Sequence, residues 1–161
     1  MALLRRIRIE GLKQMTIALG SDHGGFELKT AVLEHLKQQG FDTKDFGVYN
    51  TCSADYPDYA VPVCNAILSG EADLGILICG TGIGISISAN KVHGIRCALC
   101  GDVFSAKMAR LHNNAQIIAL GGRVLGQGLA LEIVDAFLTT PFSGEERHAK
   151  RVDKIMKIED R

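Results

Sequence analysis

From Met15 onward, short apolar runs and helix-like segments take turns five times, and no other property of the chain limits its fold so tightly. TIALGS (16–21), FDTKDF (41–46), LGILIC (74–79), IRCALC (95–100) and the apolar run over 116–120 have strand character. Gly25 to Gln39 (closed by Gly40), residues 59–70, a segment from about Ile85, Val103 to Leu111 and residues 127–138 read as helices. LGILIC is apolar throughout, as a parallel strand covered on both faces must be. Strand and helix alternating in this way imply a parallel sheet with right-handed crossovers. The expected fold is therefore α/β: a three-layer α/β/α sandwich on a five-stranded parallel sheet, Rossmann-like in plan.

With 161 residues, 47% of them hydrophobic, the chain can fill one sizeable core. Residues 15–161 read as a single domain ending in a helix over 145–159, with Val152, Ile155 and Ile158 as its apolar stripe. Residues 1–14 set Arg5, Arg6, Arg8 and Lys13 among apolar residues. They have neither the longer apolar core nor the cleavage site of a signal peptide, and we read them as an appendage outside the domain.

The formal net charge is zero, so no bulk field draws the chain to nucleic acid or an anionic membrane. Tryptophan is absent and aromatics make up 6%, which argues against a stacking platform for single strands. No apolar run is long enough to span a bilayer. The five cysteines are expected to be reduced thiols in a cytoplasmic protein. Cys97 and Cys100 form a CxxC, but on a strand they point to opposite faces, and no second pair completes a zinc site. Both, with Cys52 and Cys64, are expected to be buried small hydrophobes. No carboxylate–histidine cluster has ligand spacing, so no metal and no cofactor are expected. His35 and His93 are expected at the surface.

Ligands of such sheets bind at the carboxyl ends of the strands. Those ends carry Ser21-Asp22-His23-Gly24-Gly25, Cys79-Gly80-Thr81-Gly82-Ile83-Gly84, Gly101-Asp102 and Gly121-Gly122-Arg123. The glycine loop fits no nucleotide motif: Ile85 stands where GxGxxG needs its third glycine, and the Lys-Ser/Thr of a P-loop is missing. Asp102 mimics a ribose-binding acid, but alone does not rescue the pattern. Taken in isolation the loop is equally well explained as a tight turn needing glycine for packing. A thiol beside bare N–H groups at a helix N-terminus tips the balance, because such groups stabilise both a thiolate and a nearby oxyanion.

SDHGGFELK, DYPDYA (55–60), ILICGTGIGISISANK, RLHNNA (110–115), GGRV (121–124) and RHAKR (147–151) together resemble the ribose-5-phosphate isomerase B family, which also includes the galactose-6-phosphate isomerase subunits. The resemblance runs in order from Met15 to the C-terminus. It implies a metal-free aldose–ketose isomerase acting through a cis-enediolate, with ribose 5-phosphate as the expected substrate and a six-carbon sugar phosphate (allose or galactose 6-phosphate) as the alternative. A non-catalytic sugar-phosphate or nucleotide sensor on the same fold is the reading from another class. By resemblance Cys79 is the base. The N–H groups of Gly80, Gly82, Ile83 and Gly84, with the Thr81 hydroxyl, hold the enediolate oxygen. His112 assists ring opening with Asp22 nearby, Asn113 orients hydroxyls and Tyr56 lines the pocket. His23, Arg123, Arg147 and Arg151 take the phosphate, the last two being four apart on one helical face. His148, between them, is expected to point elsewhere. The resemblance further implies a homodimer or homotetramer whose active sites are shared between subunits.

Overall fold

A computed structural model describes residues 14–160, so almost all of the N-terminal appendage lies outside the described residues. β1 (Thr16–Ser21), β2 (Asp42–Asp45), β3 (Leu74–Cys79), β4 (Cys97–Leu99) and β5 (Ile117–Gly121) form one sheet in the order β2-β1-β3-β5-β4. Every pairing is parallel. Six α-helices are seen among the described residues: α1 (Phe26–Gln39), α2 (Tyr56–Leu68), α3 (Ile83–Asn90), α4 (Val103–Leu111), α5 (Gln127–Thr139) and α6 (Glu146–Met156).

The period of two along each strand divides the core. From β3, Leu74, Ile76 and Ile78 join Val32 and Leu36 of α1, Ala106 of α4 and Phe137 of α5 on one face. Leu77 and Cys79 join Val63 of α2 and Ile85 of α3 on the other. The CxxC divides as expected, with Cys100 in the first cluster and Cys97 against the second. Burial pushes the thiols of Cys64 and Cys100 up to about 11, first by loss of solvation. Cys52 is different: it is exposed, on the polar loop between β2 and α2, and the expectation of burial fails there.

Helix starts depart from expectation for identifiable reasons. α2 begins at Tyr56 rather than 59, because Pro57 suits a first turn, where its missing N–H costs nothing. α3 begins at Ile83, two residues early, directly after Gly82 in the left-handed conformation. β4 keeps only three of the six expected residues, since it is an edge strand with β5 as its sole partner. A buried ion pair was not foreseen. Lys29 of α1 is 1% exposed and donates to Asp45 at 2.6 Å and to the Val48 carbonyl at 2.7 Å, pinning the chain after β2. His35, expected simply at the surface, is partly buried and pairs with Asp135 of α5 at 2.7 Å.

Strand order reverses around β1: the chain steps outward to β2, then back past β1 to β3. In open parallel sheets such a switch point is where a ligand crevice forms, outside the carboxyl ends of the two strands, here beside the loops that follow Ser21 and Cys79.

Candidate active site

Three loops meet at that crevice with almost no side chains between them. A Cβ on Gly25 would come within 2.3 Å of the Ile78 carbonyl oxygen, and one on Gly122 within 2.6 Å of the Gly24 carbonyl oxygen. The backbone of Gly122 donates to the Cys79 carbonyl at 2.8 Å, and that of Arg123 to the Gly80 carbonyl at 2.9 Å. Glycine at these positions lets the ends of β1, β3 and β5 close on one another, which carries Asp22, Cys79 and Arg123 to one spot.

Cys79 ends β3 and is 4% exposed. The Gly82 N–H donates to its sulfur at 3.1 Å. Gly82 reaches that position with φ +77°, and a Cβ there would meet the Leu99 side chain at 2.6 Å and the Leu120 backbone at 2.8 Å. The turn therefore requires glycine, and it aims an N–H at the sulfur. The next N–H, of Ile83, donates to the Thr81 hydroxyl at 3.2 Å, and α3 starts without any other side-chain cap. Beyond Ile83, the first-turn amides of Gly84 and Ile85 have no side-chain cap and can receive an oxyanion. Tyr56 lies over this helix start, its ring 2.5 Å from where a Cβ on Gly84 would stand.

Asp22, 6% exposed, accepts the Gly25 N–H at 3.1 Å and so is fixed at the mouth of the crevice. Nδ1 of His23 accepts the Ala54 N–H at 3.1 Å, which leaves a proton for Nε2. The guanidinium of Arg123 lies over Gly80, and Arg123 is exposed and without an ion pair among the described residues. Asp102 is occupied elsewhere. It caps α4 through the Ser105 N–H at 2.7 Å, and that bond, first of all, holds its carboxyl below the ordinary range.

The remaining expected site residues stand on the other side of the sheet. α4 starts at the carboxyl edge and runs back antiparallel to the strands, so His112 and Asn113 emerge at the amino edge, before β5 begins. There the Asn113 carbonyl accepts from Arg96 Nε at 3.0 Å. α6 lies at the same edge: Ser143 donates its N–H to the Leu111 carbonyl at 3.0 Å, and Arg96 meets the sulfur of Met156 at 3.0 Å. Arg147 and Arg151 are both exposed, the first bonded to Glu145 at 2.7 Å, the second with no ion pair among the described residues. The partnership of Asp22 with His112 is accordingly not made within one chain. Sequence reasoning also missed His148. It is 4% exposed and its ring lies 4.2 Å from that of His112, centroid to centroid. Its signal was the helical spacing to Val152 and Ile155, four and seven residues on, which puts it at the head of the apolar stripe.

Residues 17–155 match the family described as Ribose/Galactose Isomerase. The chain belongs to that family. Among its relatives, the ribose-5-phosphate isomerase B of Escherichia coli is 48% identical over 145 residues, covering 90% of this chain and 97% of that protein. A solved Clostridium thermocellum ribose-5-phosphate isomerase B is 53% identical and superposes with a TM-score of 0.89 over 91% of this chain and 98% of that one. A Mycoplasma genitalium ribose-5-phosphate isomerase B, solved with bound ribulose 5-phosphate, is 40% identical with a TM-score of 0.86, over 92% of this chain and 99% of that one. The expected family and fold are both borne out.

Proposed function

We propose that the chain is an aldose–ketose isomerase that interconverts ribose 5-phosphate and ribulose 5-phosphate, with Cys79 as the proton-transfer base. The observation that carries this reading is the Gly82 N–H donated to the Cys79 sulfur at 3.1 Å, at the start of a helix that has no side-chain N-cap. As thiolate, Cys79 takes the C2 proton of the open-chain aldose. The C–H electron pair becomes the C1=C2 bond, and charge passes to O1, held by the Gly80–Gly84 amides and Thr81. The thiol then returns its proton to C1 while O2 gives up its proton and O1 regains one, leaving the C2 ketone. His23 and Arg123 contact the phosphate from the same edge.

Ring opening must precede this step. The anomeric O1–H loses its proton, C1=O1 forms, the bond from C1 to the ring oxygen breaks, and that oxygen takes a proton. His112 supplies the latter and Asp22 accepts the former. Because these two lie at opposite edges of one chain, a second copy completes the site, bringing His112, Asn113, Arg147 and Arg151 to the crevice. Exposed Ile83, Leu99 and Val124 line a cavity of about 330 Å³ beside Thr81, and Ile87 and Phe104 are exposed as well, apolar surface suited to such a contact. The functional unit is a homodimer or a multiple of it, working in the cytoplasm with its thiols reduced.

The test is Cys79→Ala in deuterated water. Isomerisation should fall by about 10²–10⁴-fold, the range of general base catalysis. Deuterium should no longer enter C1 of ribulose 5-phosphate, while calorimetry still detects ribulose 5-phosphate binding. Exchange at the wild-type rate would remove Cys79 from the chemistry.

A further inference from the structure

His148 is the only histidine buried to 4% among the described residues, and none of the chemistry above employs it. We propose that His148 is a positioning residue: its ring, stacked on His112, fixes the plane in which His112 hands a proton to the furanose oxygen. This rests on His112 being the ring opener.

Three observations support it. The two imidazoles lie 4.2 Å apart, centroid to centroid, at 40°, a tilted contact so close that neither ring can turn freely past the other. His112 itself sits at the C-terminal end of α4, where its backbone N–H bonds the Met108 carbonyl, and no hydrogen bond to its ring is found among the described residues. The stack is therefore what restrains that ring. His148 is in turn held from behind. Its Nδ1 lies 2.8 Å from the Ser143 hydroxyl, and that hydroxyl already accepts the Glu145 N–H at 3.3 Å. The Ser143 hydroxyl thus anchors one nitrogen of the His148 ring.

The charges around the pair keep the roles separate. Glu145, Arg147 and Arg151 flank His148, and burial above all, then His112 and Arg147, disfavour its imidazolium form. His148 stays neutral, does not compete for the transferred proton, and presents an uncharged ring when His112 is protonated. A neutral stacked ring tolerates that charge, whereas a second imidazolium would repel it.

The experiment compares His148→Ala, His148→Phe and His112→Ala in two assays: turnover of ribose 5-phosphate, which must open, and deuterium entry at C1 of ribulose 5-phosphate, which has no ring. His148→Ala should slow the first by about ten- to a hundredfold, as expected for a misaligned catalytic group, and leave the second within about twofold. His148→Phe, which keeps a ring to stack on, should recover most of the loss. Equal losses in both assays would mean that His148 only supports the fold, and His148→Phe as slow as His148→Ala would remove the stack from the account. His112→Ala separates the two levels. If it too spares ribose 5-phosphate turnover, the ring-opening role of His112 has failed; if it shows the split and His148→Ala does not, this inference alone is wrong.

Discussion

Mixing two inactive variants tests whether one site is built from two chains. Cys79 pairs with Gly121 at the carboxyl end of the sheet, whereas Gly75 and Ile117 pair at its amino end. Four residues at about 3.3 Å each separate those levels by roughly 13 Å, and His112 lies beyond the amino end. A ring opener must come within about 3 Å of the sugar that Cys79 also touches, so the two cannot serve one substrate from one chain. In a two-fold dimer each site then takes Cys79 from one protomer and His112 from the other. Cys79→Ala paired with His112→Ala gives one site with both lesions and one with neither. Equimolar unfolding and refolding of the two variants yields about half heterodimers, each with one intact site of two, hence about a quarter of wild-type ribose 5-phosphate turnover. If heterodimers are present by native mass spectrometry and turnover stays at the level of the separate variants, the shared site is refuted.

Three further outcomes follow from the same geometry. Lys29→Met leaves Asp45 without its cation; a broken buried pair costs about 3–5 kcal/mol, and because Asp45 remains 28% exposed the loss expected from urea unfolding is nearer 2–3 kcal/mol. An unchanged urea midpoint would mean that the pair contributes nothing. Gly82→Ala forces a side chain into φ +77° and against the Leu120 backbone at 2.8 Å, so it should destabilise by about 2 kcal/mol or more and lower kcat by disturbing the N–H at Cys79. A variant with wild-type kcat would show that the N–H to sulfur is dispensable. Iodoacetamide should alkylate exposed Cys52 first and leave Cys79, 4% exposed, to a slower phase that removes activity; loss of activity in step with the first thiol would contradict the burial of Cys79.

The sheet was legible because burial on both faces imposes an unbroken apolar run, and LGILIC occupies its expected span from Leu74 to Cys79 without error. Helix starts were less so, since they depend on single residues such as Pro57 and Gly82 rather than on periodicity. Lys29 was overlooked because charge suggests exposure, although its spacing to Val32 and Leu36 already placed it on the buried face of α1. Cys52 erred the other way: a thiol suggested burial while its neighbours Asn50, Thr51 and Ser53 described an exposed loop.

The division of the site was present in the alternation itself. A helix that follows a parallel strand must return to the amino edge, so RLHNNA could never share an edge with Cys79 in the same chain. The motifs, gathered by resemblance, carried no such placement. The tail helix repeats the point in its side chains. The apolar stripe of α6 begins with buried His148, yet Ile155 is 42% exposed and Ile158, just beyond the helix, 58%. A stripe that covers one histidine and leaves two isoleucines outside is unfinished by the described residues of its own chain. Sequence periodicity reports which face a helix must bury, but not whose surface buries it. A copy of the chain whose crevice lacks an acid for the ring oxygen is the partner with most to gain from that face. On the proposed mechanism, His112, Arg147 and Arg151 would therefore serve the crevice of a partner protomer rather than that of their own.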